Sequence, residues 1–345
     1  MIAEAVSNKK TSPAIRRLDL TRDLPGLADL IEISFQAELS LTDNSIASEF
    51  RQLAKAGPLL WLLQAVIPIR RHLDGFVWVE DGRVIGNVSL SRESRQNAMW
   101  TINNVAVHPD FRGRGIAQQL MKVAMANAAL KSARRIWLEV QCDNEPAKAL
   151  YQGLGFVVAD TVQELSRPAG AAPSQPAAAH PCFRSRRHSD AMGLYRLVRE
   201  TTPPTLLSAR PLDLSHFRLP LSRKVARWLE PVCGLVRRID QVLDEAGTIH
   251  AWLKVTGQYD GARHRMAIIV HPDCRGTLEC EMVSLGLTIL SAFPARQIVA
   301  TVSDSHPAAL EAFRRAGFVT LRRLDQMVLD LDCRPDGAKA TVNTT

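Results

Sequence analysis

Val105-Ala106-Val107-His108-Pro109-Asp110-Phe111-Arg112-Gly113-Arg114-Gly115-Ile116-Ala117 is an apolar run that ends in His-Pro and passes through a basic, glycine-rich turn into a helix. Without a Cβ, Gly113 and Gly115 let the chain bend sharply, so that successive N–H groups converge on one set of oxygens. The helix that follows adds its unpaired N–H groups and a positive dipole end. With Arg112 and Arg114 alongside, the pattern suits a phosphate or diphosphate. A P-loop is excluded because Gly115 is followed by Ile-Ala, not Lys-Ser/Thr. A dinucleotide fingerprint is disfavoured as well, since it needs three glycines and an acidic residue about 20 positions on.

A second stretch, Asn144-Glu-Pro-Ala147-Lys-Ala-Leu150-Tyr151-Gln-Gly-Leu-Gly155-Phe156, follows at a fixed distance. Arg112-x-x-Gly115-x-Ala117, preceded by Val107-x-Pro109, together with this segment resembles the GNAT acetyltransferases in residues, order and spacing. The resemblance covers residues 13 to 199 and, in degraded form, the remainder. It implies an α/β (α+β) fold class: two tandem GNAT folds, each a mixed, mostly antiparallel sheet flanked by helices. It also implies acetyl-CoA as co-substrate. The pantetheine would lie along the fourth strand at Asn104, Val105, Ala106 and Val107, with the diphosphate on Arg112, Gly113, Arg114, Gly115, Ile116 and Ala117. Asn144 would contact the same molecule, or else cap the helix that starts beside it.

In this family an amine attacks the thioester directly, so the protein positions two substrates, removes a proton and stabilises developing charge. A lysine-like amine is scarce in its neutral form at pH 7, a cost of about 4.6 kcal/mol, whereas an α-amine costs about 1 kcal/mol. A strong base is therefore optional for an α-amine. Glu139 is the candidate base, 12 residues before Tyr151, a spacing similar to that of the ribosomal-protein N-terminal acetyltransferases. Its alternative is a surface strand carboxylate. Asn104 stands where many relatives place an acidic residue, and an amide takes no proton. Tyr151, in the Asn-x-x-Ala-x-x-Leu-Tyr pattern, is the candidate acid returning a proton to the CoA sulfur; the alternative is a half-buried core aromatic.

The chain contains this unit twice. His108-Pro-Asp-Phe-Arg-Gly recurs as His271-Pro-Asp-Cys-Arg-Gly, and Gly155-Phe156 as Gly317-Phe318. In the second copy Leu278 stands at Gly115, Thr277 at Arg114 and Phe313 at Tyr151, while Glu279 adds a negative charge at the helix start. The second copy is expected to be catalytically silent. The expected domains are 1–199, with the Pro/Ala-rich loop 167–190 inserted between its last strands, and 200–335, followed by a disordered tail at 336–345. Arg184, Arg186 and Arg187 would then lie in a mobile loop.

Local patterns predict a first strand at Ala14–Leu18 and helices over 24–39 and 45–56. A hairpin follows at Asp81-Gly82, then a strand over 99–107 and a helix over 115–133 with Ile116, Leu120, Val123 and Ala124 on one stripe. Residues 136–140 read as a strand, 146–154 as a helix, and 156–165 and 192–198 as the final two strands.

The six cysteines form no Cys-x-x-Cys pair and no zinc-spaced set with histidine, so no metal site is expected. The first residues lack a basic start before an apolar core, which points to a cytoplasmic protein. The most apolar run, Pro58 to Pro68, is too short to span a bilayer, so no stable membrane insertion is expected. The net charge of +8 comes without any nucleic-acid-binding motif, so no nucleic-acid partner is expected. The expected partner is an amine acceptor, either a protein N-terminus or a small-molecule amine. The rival reading is a non-catalytic acyl-CoA sensor or scaffold.

Overall fold

The computed structural model describes residues 14–34, 74–94, 98–170, 183–219, 236–259 and 261–332. The expected helix over 45–56, the apolar run 58–68, the centre of the Pro/Ala-rich stretch and the tail at 336–345 lie outside the described residues. The chain divides into two compact units, one of residues Met1–Leu138, Ala149–Phe156 and Val328–Thr345, the other of Glu139–Lys148 and Val157–Met327.

The first unit begins with β1 (Ala14–Arg17) and α1 (Leu20–Ser34). Arg16 grips the buried Asp23 through two bonds of 2.5 and 2.6 Å, and Asp23 also accepts the Asp19 N–H at 2.8 Å, which fixes the helix start. Leu24, Leu27, Ala28, Leu30 and Ile31 recur at helical spacing and are buried. Next come β2 (Asp74–Glu80), β3 (Arg83–Ser94) and β4 (Met99–Val107), joined in an antiparallel meander with β1. Asp81 and Gly82 both take positive φ, 49° and 77°, as the tight turn between β2 and β3 requires.

After β4 come α2 (Ile116–Leu130), β5 (Arg135–Gln141) and α3 (Glu145–Gly153). The sheet order is β1-β2-β3-β4-β5, with β5 parallel to β4. The α2 face bearing Ile116, Leu120, Met121, Ala124, Met125 and Ala128 is buried. A Cβ at Gly86 of β3 would lie 3.0 Å from both Ile116 and Leu120, so this glycine lets α2 settle closely on the sheet.

The second unit contains β6 (Val157–Arg167), β7 (Phe183–Ser185), α4 (Ala191–Thr201), α5 (Pro204–Ala209), β8 (Val236–Glu245), β9 (Thr248–Gln258), β10 (His264–Val270), α6 (Glu279–Leu290), β11 (Ile298–Ser303), α7 (Pro307–Arg315) and β12 (Val319–Asp330). Its strands run in the order β12-β6-β11-β10-β9-β8-β7. β10 and β11 are parallel; β6–β11 and the β7–β8–β9–β10 meander are antiparallel. Its core gathers Leu253, Val255, Met266, Met282, Val283 and Phe313. A satellite cluster joins Leu194, Leu197, Phe217, Val242, Ile249 and Trp252.

Two sequence expectations change here. Residues 192–198 form helix rather than strand, because Leu194, Leu197 and Thr201 fall on one buried helical face. The strand-helix-meander order also restarts at β7, ahead of the boundary expected at 199/200. Accordingly, the arginines assigned to a mobile loop are anchored: Arg184 bonds both oxygens of Asp190 and also Asp244, and Arg186 pairs with Asp240 with its guanidinium 5.1 Å from the Trp252 ring centre.

The Asp190 side chain is only 5% exposed, so its charge depends on Arg184. Arg184→Met is expected to destabilise the second unit by about 3 to 5 kcal/mol, the usual cost of stranding a buried partner, as a lowered urea midpoint. A midpoint equal to that of the wild type would show that the pair is dispensable.

Candidate functional site

The glycine-rich loop is tied to the sheet before it turns. The His108 N–H bonds the Ile85 carbonyl at 2.9 Å, and a single 3-10 turn over Pro109–Phe111 leads into the loop. Gly113 and Gly115 then take φ of 77° and 74°. This is a left-handed conformation that costs an ordinary residue roughly 1 to 2 kcal/mol. A Cβ at either glycine would meet no heavy atom of the described residues within 4 Å. The glycines therefore supply backbone shape and an open surface rather than relief of a clash.

Gly115 caps α2 without a side-chain bond, and Gln119 N–H to Gly115 carbonyl, 3.1 Å, is the first turn of the helix ladder. The N–H groups of Ile116, Ala117 and Gln118 precede that bond and have no helical acceptor. A helix end of this kind attracts negative charge. Arg112 Nε donates back to the Val107 carbonyl at 3.2 Å. Arg114 pairs with Glu80 of β2 at 3.1 Å and lies over the Phe111 ring at 5.2 Å. The Arg114 side chain is 48% exposed, so this ion pair is weak and exchangeable.

Strand β4 carries the second element of the site. Its register against β3 slips between the pairs Asn87–Ala106 and Ser89–Asn103, and Asn104 sits in the slip with φ of 51°. The buried Asn87 amide donates to the Asn104 carbonyl at 2.8 Å and to Ser89 Oγ at 3.2 Å. On its other side β4 pairs with β5 only over Met99–Thr101 and Arg135–Trp137. Beyond Thr101 the stretch containing Asn104, Val105, Ala106 and Val107 leaves that ladder.

Tyr151 lies in the last turn of α3, 7% exposed and 6.1 Å from the Phe156 ring. Burial pushes its phenol up to about 12, so the hydroxyl keeps its proton throughout the neutral range. Glu139, on β5, is exposed and accepts a bond from Gln326 Nε2 at 2.8 Å. The Asn144 side chain accepts the Ala147 N–H at 3.2 Å, which is the helix-capping role. The loop, β4 and Tyr151 belong to the first unit, whereas Glu139 and Asn144 are grouped with the second.

The second copy repeats the frame and changes the chemistry. β10 and β11 also pair only at their starts, His264–Met266 with Ile298–Ala300. A matching 3-10 turn spans Pro272–Cys274, and Gly276 takes φ of 83°. Leu278, at the position of Gly115, is right-handed with φ of −97°. Glu279, 3% exposed, accepts the Gly276 N–H at 2.8 Å. A carboxylate of the protein itself thus occupies the turn. Arg275 bonds the Thr201 carbonyl and His306, which stands at the position of Asn144. Arg275 and His306 line a cavity of about 350 Å³ with Glu279 and Pro307. Burial, reinforced by Arg275, pushes His306 down to about 4, so its ring is neutral at pH 7.

Sequence reading missed the Glu80 partner of Arg114 and the Asn87 contact. For Asn87 the available signal was a polar side chain in the otherwise apolar run Val84-Ile-Gly-Asn-Val. Among the described residues no cluster of three or more His, Cys, Asp or Glu could hold a metal ion, and no helix is long and apolar enough to cross a membrane.

The family model described as acetyltransferase (GNAT) family matches residues 45–156. A ribosomal protein bS18 alanine N-acetyltransferase of Salmonella typhimurium is 30% identical over 109 residues, 27% of this chain and 74% of that protein. Streptothricin acetyltransferase of Streptomyces lavendulae is 38% identical over 76 residues, 22% of this chain and 40% of that protein. Among solved structures, a GCN5-related N-acetyltransferase from Sphaerobacter thermophilus shares the fold with a TM-score of 0.62 at 17% identity, covering 94% of this chain and 96% of that one. A tandem GNAT protein from the clavulanic acid biosynthesis pathway gives 0.56 at 18% identity, covering 92% and 98%.

Removing the internal carboxylate tests its part in the second copy. Glu279→Ala is expected to cost about 1.5 to 3 kcal/mol, the range for a charge-assisted hydrogen bond, read as a lowered urea midpoint. An unchanged midpoint would reduce the Glu279 contact to an incidental one.

Proposed function

The chain belongs to the GNAT acetyltransferase family, and from that premise we propose that its first copy is an acetyl-CoA-dependent N-acetyltransferase in which a primary amine attacks the thioester directly, while the second copy is silent. The observation that carries this reading is the open helix end behind Gly113 and Gly115, beside a strand that has left its β5 partner. The site fits a diphosphate followed by an extended arm, because no described residue crowds the loop glycines and the N–H groups behind them lack helical acceptors.

In this reading the N–H groups from Gly113 to Ala117 hold the diphosphate, and Arg112 and Arg114 add charge once Arg114 leaves Glu80. The β4 backbone from Asn104 to Val107 aligns the pantetheine. Acetyl-CoA supplies an acyl carbonyl activated by its thiol leaving group. Tyr151, neutral at physiological pH, donates a proton to the departing sulfur. Glu139 receives a proton from the amine, a demand that is small for an α-amine. Asn144 serves this site by capping α3, where its side-chain oxygen accepts the Ala147 N–H.

The acceptor best supported is the α-amine of a protein N-terminus, since the relatives that match over most of their length are alanine N-acetyltransferases of a ribosomal protein. A small-molecule amine is the second reading, favoured by the streptothricin acetyltransferase match. The silent second copy rests on Glu279 in the turn, Leu278 in place of a left-handed glycine, and Phe313 in place of Tyr151.

Two substitutions test the reading. Gly115→Leu copies the second unit's residue into the first; it is expected to weaken acetyl-CoA binding at least 30-fold by calorimetry while costing only about 1 to 2 kcal/mol of stability. Unaltered binding would place the diphosphate elsewhere. Tyr151→Phe is expected to lower kcat by about 10² to 10⁴ with acetyl-CoA affinity preserved, measured as thiol release with an N-terminal alanyl peptide and a panel of small amines. An unchanged kcat would remove Tyr151 as the acid, and acetyl-CoA binding without turnover on any amine would favour an acyl-CoA sensor.

A further inference from the structure

We infer that Asn87 is a positioning residue: its side-chain amide holds the β4 slip in place and thereby aims the Val105 N–H at the thioester carbonyl. The inference rests on the proposed function of the first copy. Asn87 is fully buried on β3, and its amide nitrogen donates to the carbonyl of Asn104, a non-glycine residue held at positive φ. Among the described residues its own carbonyl oxygen is buried without a hydrogen-bond partner. A buried carboxamide left half-satisfied is costly, and such groups persist chiefly where they perform a task.

The task follows from peptide geometry. Across a planar trans peptide the C=O and the next N–H point in opposite directions. With the Asn104 carbonyl drawn to Asn87, the Val105 N–H is turned away from that side chain. Asn87 lies on β3, and on the far side of β4 the ladder to β5 has already ended at Thr101. The N–H therefore faces the parted edge, where an acyl group carried along Asn104–Val107 would present its oxygen. Left to itself, Asn104 has no glycine-like freedom to keep this left-handed conformation; the Asn87 bond supplies the restraint. The diphosphate turn at Gly113–Gly115 makes no use of Asn87, so grip on the coenzyme and polarisation of the carbonyl are separable.

The experiment uses the full chain with acetyl-CoA labelled with ¹³C at the thioester carbonyl, calorimetry giving affinity and NMR giving the carbonyl resonance of the bound molecule. In the wild type the bound resonance is expected downfield of the free one, as hydrogen bonding to the oxygen requires. Asn87→Leu, similar in size but without a donor, is expected to bind acetyl-CoA within about threefold of wild type while its bound resonance returns toward the free position. Asn87→Asp adds a pH signature: the protonated carboxyl can donate to the Asn104 carbonyl and the ionised form cannot. Its bound resonance is therefore expected to move downfield as pH falls, a titration that the wild type and Asn87→Leu lack.

A wild-type-like bound resonance in Asn87→Leu, a pH-independent resonance in Asn87→Asp, or loss of acetyl-CoA binding in both variants would overturn the inference. So would a wild-type bound resonance that coincides with the free one. Failure of the wild type to bind acetyl-CoA at all would instead overturn the proposed function, which keeps the two failures apart.

Discussion

The N–H groups in the first turn of a helix have no acceptor within the helix, and both copies of this fold are built around how that shortage is met. In the first copy the donors of Ile116, Ala117 and Gln118 are left open behind a left-handed glycine. In the second copy a carboxylate from the helix itself, Glu279, folds back onto the Gly276 N–H. On the proposed reading, an internal anion in one copy and an external one in the other meet the same electrostatic demand.

This explains why the shape of the loop was legible in the sequence. A cradle made of backbone leaves its trace as glycines and a helix start, and those are visible at Gly113, Gly115 and Ile116 without coordinates. The hairpin at Asp81-Gly82 was legible for the same reason, because only certain residues accept its two positive φ values. Side chains that meet across long separations leave no such trace. Glu80 and Arg114 are 34 positions apart, and Asp244 lies 60 positions from Arg184. Composition alone made the segment around Arg184 look solvated, although its charges are spoken for. Residues 192–198 misled for a different reason: Met192, Leu194 and Val198 fall on one side of a two-residue alternation that only Arg196 breaks, and the helical face appears only when Leu194, Leu197 and Thr201 are taken together.

The left-handed backbone at Asn104 is a feature that sequence reasoning did not reach. The resemblance identified Asn104 as a place where an acid is missing, a statement about its side chain. The structure makes its backbone the notable feature, with φ of 51° in a strand that slips by one residue against β3. Asparagine tolerates that region better than most residues. An aspartate would tolerate it too.

The fate of Tyr151 in the second copy completes the contrast. Phe313 stands at its position, with no exposed surface and its ring edge-on to Phe318 at 4.9 Å, whereas Tyr151 sits 6.1 Å from Phe156 at a tilt. A hydroxyl that must reach a reacting atom keeps its ring at the margin of the core, because the oxygen needs a polar neighbour or substrate. Without that hydroxyl the ring is free to sink into the core and adopt the edge-to-face contact that aromatic pairs prefer. The filled turn at Gly276 and the tightly packed Phe313 thus share one feature: in the second copy both positions are satisfied by groups of the same unit.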